Sequence, residues 1–280
     1  MFKFVQRLAM TAAVLAASSA AFAQEAGNAE VKEKTDAAAL AQKLTNPVAD
    51  LMSVPFQFNY NGRIGPRDKG QTAYMNFQPV IPIHLNQDWN LIARTVAPLI
   101  WQTSIFPGSG TQTGLGNIEQ SFFFSPKDPI GGWIMGAGPI LYLPTATEKL
   151  LGTSQTGAGP TAVFLRMQDG WTYGGLVNQV WGFMGPVGFG QRPVNQIYMQ
   201  PFISYTTKNA WTISLNSESQ YDWYTQKWTM PFNFTVAKLV MFDKQPVSFQ
   251  VGVRYYATSP VDGPKGFGAR ASVTFLFSEK

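Results

Sequence analysis

Six charged residues could do chemistry together in this chain: Arg94, Glu119, Arg166, Glu218, Arg254 and Arg270. Each lies in a stretch where polar and apolar residues alternate, and each sits on the polar side of that alternation. In an extended strand, successive side chains point to opposite faces, so these six are expected on one side of a wall. Charges gathered on an enclosed face must be paired or hydrated. Four arginines and two glutamates leave two arrangements open. One is a passage whose slight positive bias selects solutes. The other is an internal network of ion pairs that holds the wall shut. Tyr74, Phe164, Tyr198, Phe202 and Tyr256 are read onto the same face. They would line a path for an apolar or aromatic solute, or fill a narrow interior.

Other chemistries have less to stand on. The chain holds one histidine and no cysteine. His84 closes an alternating segment beside a short turn, with no H-x-S or G-x-S-x-G spacing to supply a nucleophile. It reads as a turn-capping residue, and ester hydrolysis is the least favoured function. No D-x-D-x-D-G run or Cys/His cluster suggests a metal, and the Gly-rich stretch 182–190 follows a strand without opening a helix, so no phosphate cradle is implied. No cofactor is expected. The formal charge of +5 is spread along the chain without a basic run, which gives no reason to invoke nucleic acid.

The elements that must position these residues are best seen at Thr207–Trp228. A polar turn, Thr207-Lys208-Asn209, leads into strict alternation. Trp211, Ile213, Leu215, Ser217, Ser219 and Tyr221 form one face, apolar with aromatic ends; Thr212, Ser214, Asn216, Glu218, Gln220 and Asp222 form the other. A strand that crosses a bilayer needs about 9–11 residues, with aromatic rings at both interfaces. Twelve such segments follow one another, at about 54–61, 72–84, 89–102, 117–125, 132–143, 158–168, 171–182, 194–206, 210–222, 227–240, 246–257 and 266–277. The connections alternate too. Short polar turns such as Gln168-Asp169-Gly170 take turns with longer Gly-, Pro- and Ser-rich loops, among them Asn61–Gln71, Ser104–Gly116, Pro144–Gly157 and Gly182–Pro193. Trp89, Trp133, Trp171 and Trp211 follow short turns at a period of about 40 residues, or one hairpin. Trp101, Trp181, Trp223 and Trp228 lie beside the loops. Four tryptophans then mark each membrane interface. The faces of 132–143 and 171–182 are ambiguous, because both sets contain glycine and apolar residues.

Composition agrees with this pattern. Charged residues make up 13% and aromatics 14%, too few charges for an ordinary soluble surface. Alternation cancels apolar against polar, as in a barrel. The reading is an all-β, transmembrane, antiparallel up-and-down barrel of about twelve strands, spanning residues 54–280 and set in outer-membrane lipid by the barrel assembly machinery. An even strand number puts both termini in the periplasm.

The N-terminal residues differ. Lys3 and Arg7, the apolar run Leu8–Ala17 and Ala21-Phe22-Ala23 form a secretory signal peptide over 1–23. Residues 24–53 form an N-terminal extension, with Asp36–Leu44 helical and a second short helix over Pro47–Met52 behind an Asn46 cap. It is either a solvated leader or a plug over the periplasmic mouth.

Several short motifs carry a resemblance. Among them are Thr45–Gln57, Gln78-Pro79-Val80-Ile81-Pro82-Ile83, Asp88-Trp89-Asn90-Leu91-Ile92, Gly114-Leu115-Gly116-Asn117-Ile118, Leu143-Pro144-Thr145-Ala146-Thr147, Gln200-Pro201-Phe202-Ile203-Ser204-Tyr205 and Leu215-Asn216-Ser217-Glu218-Ser219. Together they resemble an uncharacterised, transporter-like outer-membrane family related to the barrels of phenol and aromatic (meta-pathway) degradation. The resemblance implies a barrel and passage of small apolar or aromatic solutes, and assigns no residue a role. The function expected is a passive channel for small solutes. A plugged barrel serving envelope integrity or surface anchoring is the alternative.

Overall fold

The computed structural model describes residues 35–186 and 193–277. Residues 1–34, where the expected signal peptide and leader fall, residues 187–192 of the fourth long loop and residues 278–280 lie outside the described residues.

The strands are β1 (Met52–Ile64), β2 (Gly70–Phe77), β3 (Val80–His84), β4 (Trp89–Thr103), β5 (Thr111–Leu115), β6 (Ile118–Pro126), β7 (Ile134–Leu143) and β8 (Thr156–Gln168). They continue as β9 (Trp171–Met184), β10 (Asn195–Thr206), β11 (Trp211–Ser217), β12 (Ser219–Asp222), β13 (Lys227–Phe242), β14 (Gln245–Thr258) and β15 (Gly266–Phe277). Three staves are interrupted, so these segments make a closed antiparallel barrel of twelve. The interruptions have local causes. Gln78-Pro79 parts β2 from β3, and Gly116-Asn117 parts β5 from β6. Glu218 parts β11 from β12 where its neighbour across the ladder is Pro231, which has no N–H to give. The register is unbroken there, from Asn216 opposite Asn233 to Gln220 opposite Thr229.

Closure comes from β1 pairing with β15, with Val54 opposite Phe275 and Asn59 opposite Arg270. A closed ladder satisfies every strand edge, which a bilayer requires. Alternation sets the two faces as read for Thr207–Trp228. Ile213 and Leu215 are exposed outward, while Thr212 is buried inward with Thr206 against it. On β14, Phe249, Val251 and Val253 point out, and Ser248 and Arg254 point in. The two ambiguous strands are resolved: Ile140, Leu176 and Val180 are inward and buried, whereas Met135, Leu141, Trp171 and Trp181 face out. Backbones crowd on this side. A Cβ on Gly159 would meet the Gln179 carbonyl oxygen at 1.7 Å, so β8 and β9 approach as closely as only glycine permits.

All eight tryptophans share the outward parity at strand ends. Trp89, Trp171 and Trp211 are exposed at the short-turn rim, with Trp133 tilted against Phe164 and Tyr173. Trp101, Trp181 and Trp223 are exposed at the long-loop rim, and Trp228 stacks with Tyr221.

Residues 35–43 form one helix, α1. The second expected helix, 47–52, is a turn instead. The Asn46 side chain accepts from Val48 N at 2.9 Å and its carbonyl accepts from Ala49 N at 3.2 Å. The chain cannot continue as a helix because Met52 already pairs with Phe277.

Candidate functional site

The charged belt is built across the barrel interior. Glu218, at the interruption between β11 and β12, receives both inward arginines of the next staves. Arg270 of β15 donates from its two terminal nitrogens to the two Glu218 oxygens, each at 2.7 Å. Arg254 of β14 also donates to Glu218. Asn59 Oδ1 accepts from Arg270 Nε at 2.8 Å and from Arg254 Nη1 at 3.4 Å. The Tyr74 hydroxyl accepts from Arg254 as well, and the Arg254 guanidinium lies 5.5 Å from the Tyr256 ring centre. The side chains of Arg254 and Arg270 are only 4% and 3% exposed, against 17% for Glu218. Charge-assisted, two-pronged contacts of this kind are the strong ones, and the planar arginine fork is suited to them. Glu218 at the β11–β12 interruption and five residues from β1, β2, β14 and β15 thus form one network.

A second group stands beside it. Arg94 of β4 reaches Gln78 at 3.5 Å, and Glu119 of β6 and Tyr142 of β7 face each other across the ladder. Tyr198 of β10 lies within electrostatic reach of both groups, Glu218 and Arg270 on one side and Arg94 and Glu119 on the other. The belt therefore carries three arginines and two glutamates.

Arg166 does not belong to it. On β8 the inward, buried residues are Thr161, Val163 and Leu165, so Arg166 and Phe164 have the outward parity. Phe164 is 51% exposed and packs on Trp133, and Arg166 lies beside Gly132. The sequence assigned both to the interior because this strand's inward face is more apolar than its outward one. The reason is the plug.

The N-terminal segment enters the barrel from the short-turn end and touches opposite walls. Ala37 and Ala41, one turn apart on α1, pack with Ala49 and Leu51 against Ala210, Leu239 and Leu276. Val48 packs on the other side among Ile92, Phe123, Val163, Leu165 and Leu176. That half of the interior is an apolar socket, and Tyr198 and Phe202 border it. Polar ties are few. Thr45 Oγ1 donates to Thr172 Oγ1 at 2.8 Å, Gln42 donates to the Trp171 carbonyl at 3.3 Å, and Asp50 stands 3.5 Å from His84. His84 thus connects the plug to β3, at the opposite end of the barrel from the loops.

Above α1 is a cavity of about 220 Å³, with Ala41, Leu44 and Thr45 as its floor. Its walls are the hydroxyl and amide face of the other half, including Gln57, Ser214, Asn216 and Gln250. A neighbouring cavity of about 160 Å³ shares Leu44, Thr45, Pro55 and Gln78 with it and reaches Arg94. The interior is two-sided: apolar where the plug docks, polar where it does not.

The long-loop mouth is narrowed by the loop between β7 and β8, whose Gly-, Pro- and Ser-rich sequence carries no signal for turning inward. Leu151 is buried, and its neighbour Leu150 accepts through its carbonyl from inward-facing Gln102 at 3.0 Å. Asn117 donates to the Leu143 and Thr153 carbonyls at 2.7 and 2.9 Å and accepts from Thr153 N at 2.6 Å. Gly114, on the inward face of β5, touches Thr147. The Ser104–Gly116 loop is not folded in; β5 uses part of it to extend the wall.

A closed, twelve-stranded antiparallel barrel with an apolar outer face and an interior that carries the polar and charged side chains defines a transmembrane β-barrel. Comparison of solved structures agrees. The chain is similar to an outer membrane channel from Pseudomonas putida F1, with TM-score 0.65 and 13% identity over 81% of this chain and 95% of that one. Lower similarity is found to the Escherichia coli outer membrane phospholipase A, with TM-score 0.46 and 12% identity over 81% and 90%. The NanC porin gives TM-score 0.48 and 10% identity over 80% and 98%. At these identities the likeness is one of fold. No family model matches the chain, and no curated protein matches it in sequence. The likeness to the Pseudomonas putida structure agrees with the barrel that the resemblance implied, and gives no support to the link with phenol degradation.

Proposed function

We propose that this protein is an outer-membrane channel for passive passage of small solutes, held closed at its periplasmic end by residues 35–51. The observation that carries the reading is the unfilled space above the plug, whose walls are largely hydroxyl and amide side chains. A barrel built only as a wall would be packed through with side chains. The plug packs on the wall through Ala37, Ala41, Val48 and Leu51 and pairs with no strand, so the barrel's ladder closes without it. The Pseudomonas putida barrel it resembles is described as an outer membrane channel. In this reading the short turns and both termini are periplasmic, the long loops face outward, and the eight tryptophans sit at the two interfaces. The barrel assembly machinery would insert the chain. The socket bordered by Tyr198 and Phe202 gives an apolar or aromatic solute a surface to follow once Val48 has left it. The belt, with three arginines to two glutamates, adds a mild preference for anions over cations.

The alternative, a permanently plugged barrel serving envelope integrity, is favoured by one observation: the plug bridges the interior from wall to wall. Planar-bilayer recording separates the two. The channel reading predicts that a chain lacking residues 24–51 conducts in stable steps and that the full mature chain does so rarely. If neither conducts, and cells without the protein take up aromatic solutes unchanged, the structural reading stands instead.

A further inference from the structure

Two features of the long-loop end lie side by side and play no part in the channel. The first is a groove of about 450 Å³ in the outer wall. Ala73 pairs with Tyr60 on one side and Trp101 on the other, so the small residue sits in a trough between two aromatic rings. Met75 between Phe58 and Leu99 continues it, and Ala269 and Ala271 of β15 widen it. The second is a pocket of about 190 Å³ in the loops above, lined by Arg67 and Lys69 together with Ser104, Phe106, Gly108 and Gly110. Asp68 is engaged by Arg63 at 3.3 Å and by Lys265 at 2.5 Å. Arg67 and Lys69 are exposed and, among the described residues, paired with no carboxylate. The end of β1 and the two loops that top this side carry Arg63, Arg67, Lys69 and Lys265 against Asp68 and Asp262. Groove and pocket are joined by chain. Trp101 lies three residues below Ser104, and Ala73 four residues above Lys69 in sequence, which is about 10–13 Å along a strand.

We propose that this face docks one molecule of a phosphorylated, multiply acylated glycolipid of the outer leaflet, lipopolysaccharide in chemical class. One acyl chain fills the Ala73 trough, and a headgroup phosphate sits at Arg67 and Lys69. An arginine fork and a lysine ammonium are the groups that hold phosphate oxygens. A zwitterionic phospholipid would fill the trough equally well but offers the basic pocket less negative charge. The inference rests on the orientation given under Proposed function, in which the long loops face the outer leaflet.

The test uses the full mature barrel in non-ionic detergent, with bis-phosphorylated hexa-acyl lipid A as probe and phosphatidylethanolamine as control, read by native mass spectrometry. The wild type should retain one lipid A and discriminate against phosphatidylethanolamine. Arg67→Glu with Lys69→Glu should weaken lipid A retention at least tenfold and leave phosphatidylethanolamine unchanged. Ala73→Trp, which fills the trough, should weaken both. Heat-modifiable gel mobility identical to wild type certifies that each variant is folded, and Arg67→Gln serves as a milder variant if the double reversal is not. Lipid A retention unchanged by charge reversal, or equal retention of the two lipids by the wild type, overturns the proposal. Orientation is read separately by impermeant maleimide on intact cells bearing Ser109→Cys. Absence of labelling would put the pocket at the wrong leaflet and overturn both this proposal and the orientation. Labelling with no lipid A selectivity would overturn this proposal alone.

Discussion

Replacing Glu218 with glutamine removes the one carboxylate that serves two nearly buried guanidinium groups. Taking one partner from a buried ion pair costs about 3–5 kcal/mol, because a desolvated charge is left behind. Here two cations would lose their anion at once and face each other. Asn59 and Tyr74 remain to accept hydrogen bonds from them, which keeps the expected loss within that range and not at twice it. At about 1.4 kcal/mol per tenfold, the unfolding equilibrium should move by roughly two to three and a half orders of magnitude. The assay is urea unfolding of the barrel in lipid vesicles, followed by tryptophan fluorescence. Arg270→Gln in the Glu218→Gln background removes one of the stranded charges, and should recover at least about 1 kcal/mol if the residues act as a unit. An unchanged midpoint for Glu218→Gln, or strict additivity in the double variant, would refute the claim that this cluster ties the barrel wall together.

Three further expectations follow from the same geometry. Val48→Asp places a carboxylate in the socket of Ile92, Phe123, Val163, Leu165 and Leu176; it should expel the plug, raise open probability in bilayers, and expose residues 35–51 to added protease while the strands stay protected. Val251→Lys, on the outward face, should destabilise the barrel by about 2–4 kcal/mol, the cost of a cation in the bilayer. Gln250→Lys, one residue away and inward, should change urea stability far less. Gly159→Ala should lower stability without touching conductance selectivity, since its Cβ would collide with the Gln179 carbonyl at the β8–β9 seam.

Strand number, hairpin rhythm and rim tryptophans were legible because a lipid-facing side must be apolar whatever the interior does. Thr212, Ser214 and Asn216 against Ile213 and Leu215 leave no ambiguity about which side is which. The same logic failed on β8. Val163 and Leu165 face inward and are apolar because Val48 covers them, a partner more than a hundred residues away. With both faces apolar, alternation keeps its period but loses its sign, and Arg166 and Phe164 were placed on the wrong side. The belt was half legible. Parity put Glu218, Arg254 and Arg270 inside and consecutive hairpins set them side by side, but only the closure of β1 on β15 adds Asn59 and Tyr74 to them. The α1 plug had a sequence signal in the one-turn spacing of Ala37 and Ala41. The inward loop had little beyond Asn117, whose amide holds it in place.

The central claim is that residues 35–51 close an otherwise passable barrel. The chain has no cysteine, so a pair can be introduced cleanly. Ala41→Cys with Ala210→Cys puts one thiol on α1 and one on the wall it packs against. Single-channel recording of this variant, joined by a short thiol crosslinker and then compared with the unjoined protein, is the most direct measurement. Closure by the plug predicts openings from the unjoined protein and their loss once the plug is tethered. Equal conductance in both states would contradict it.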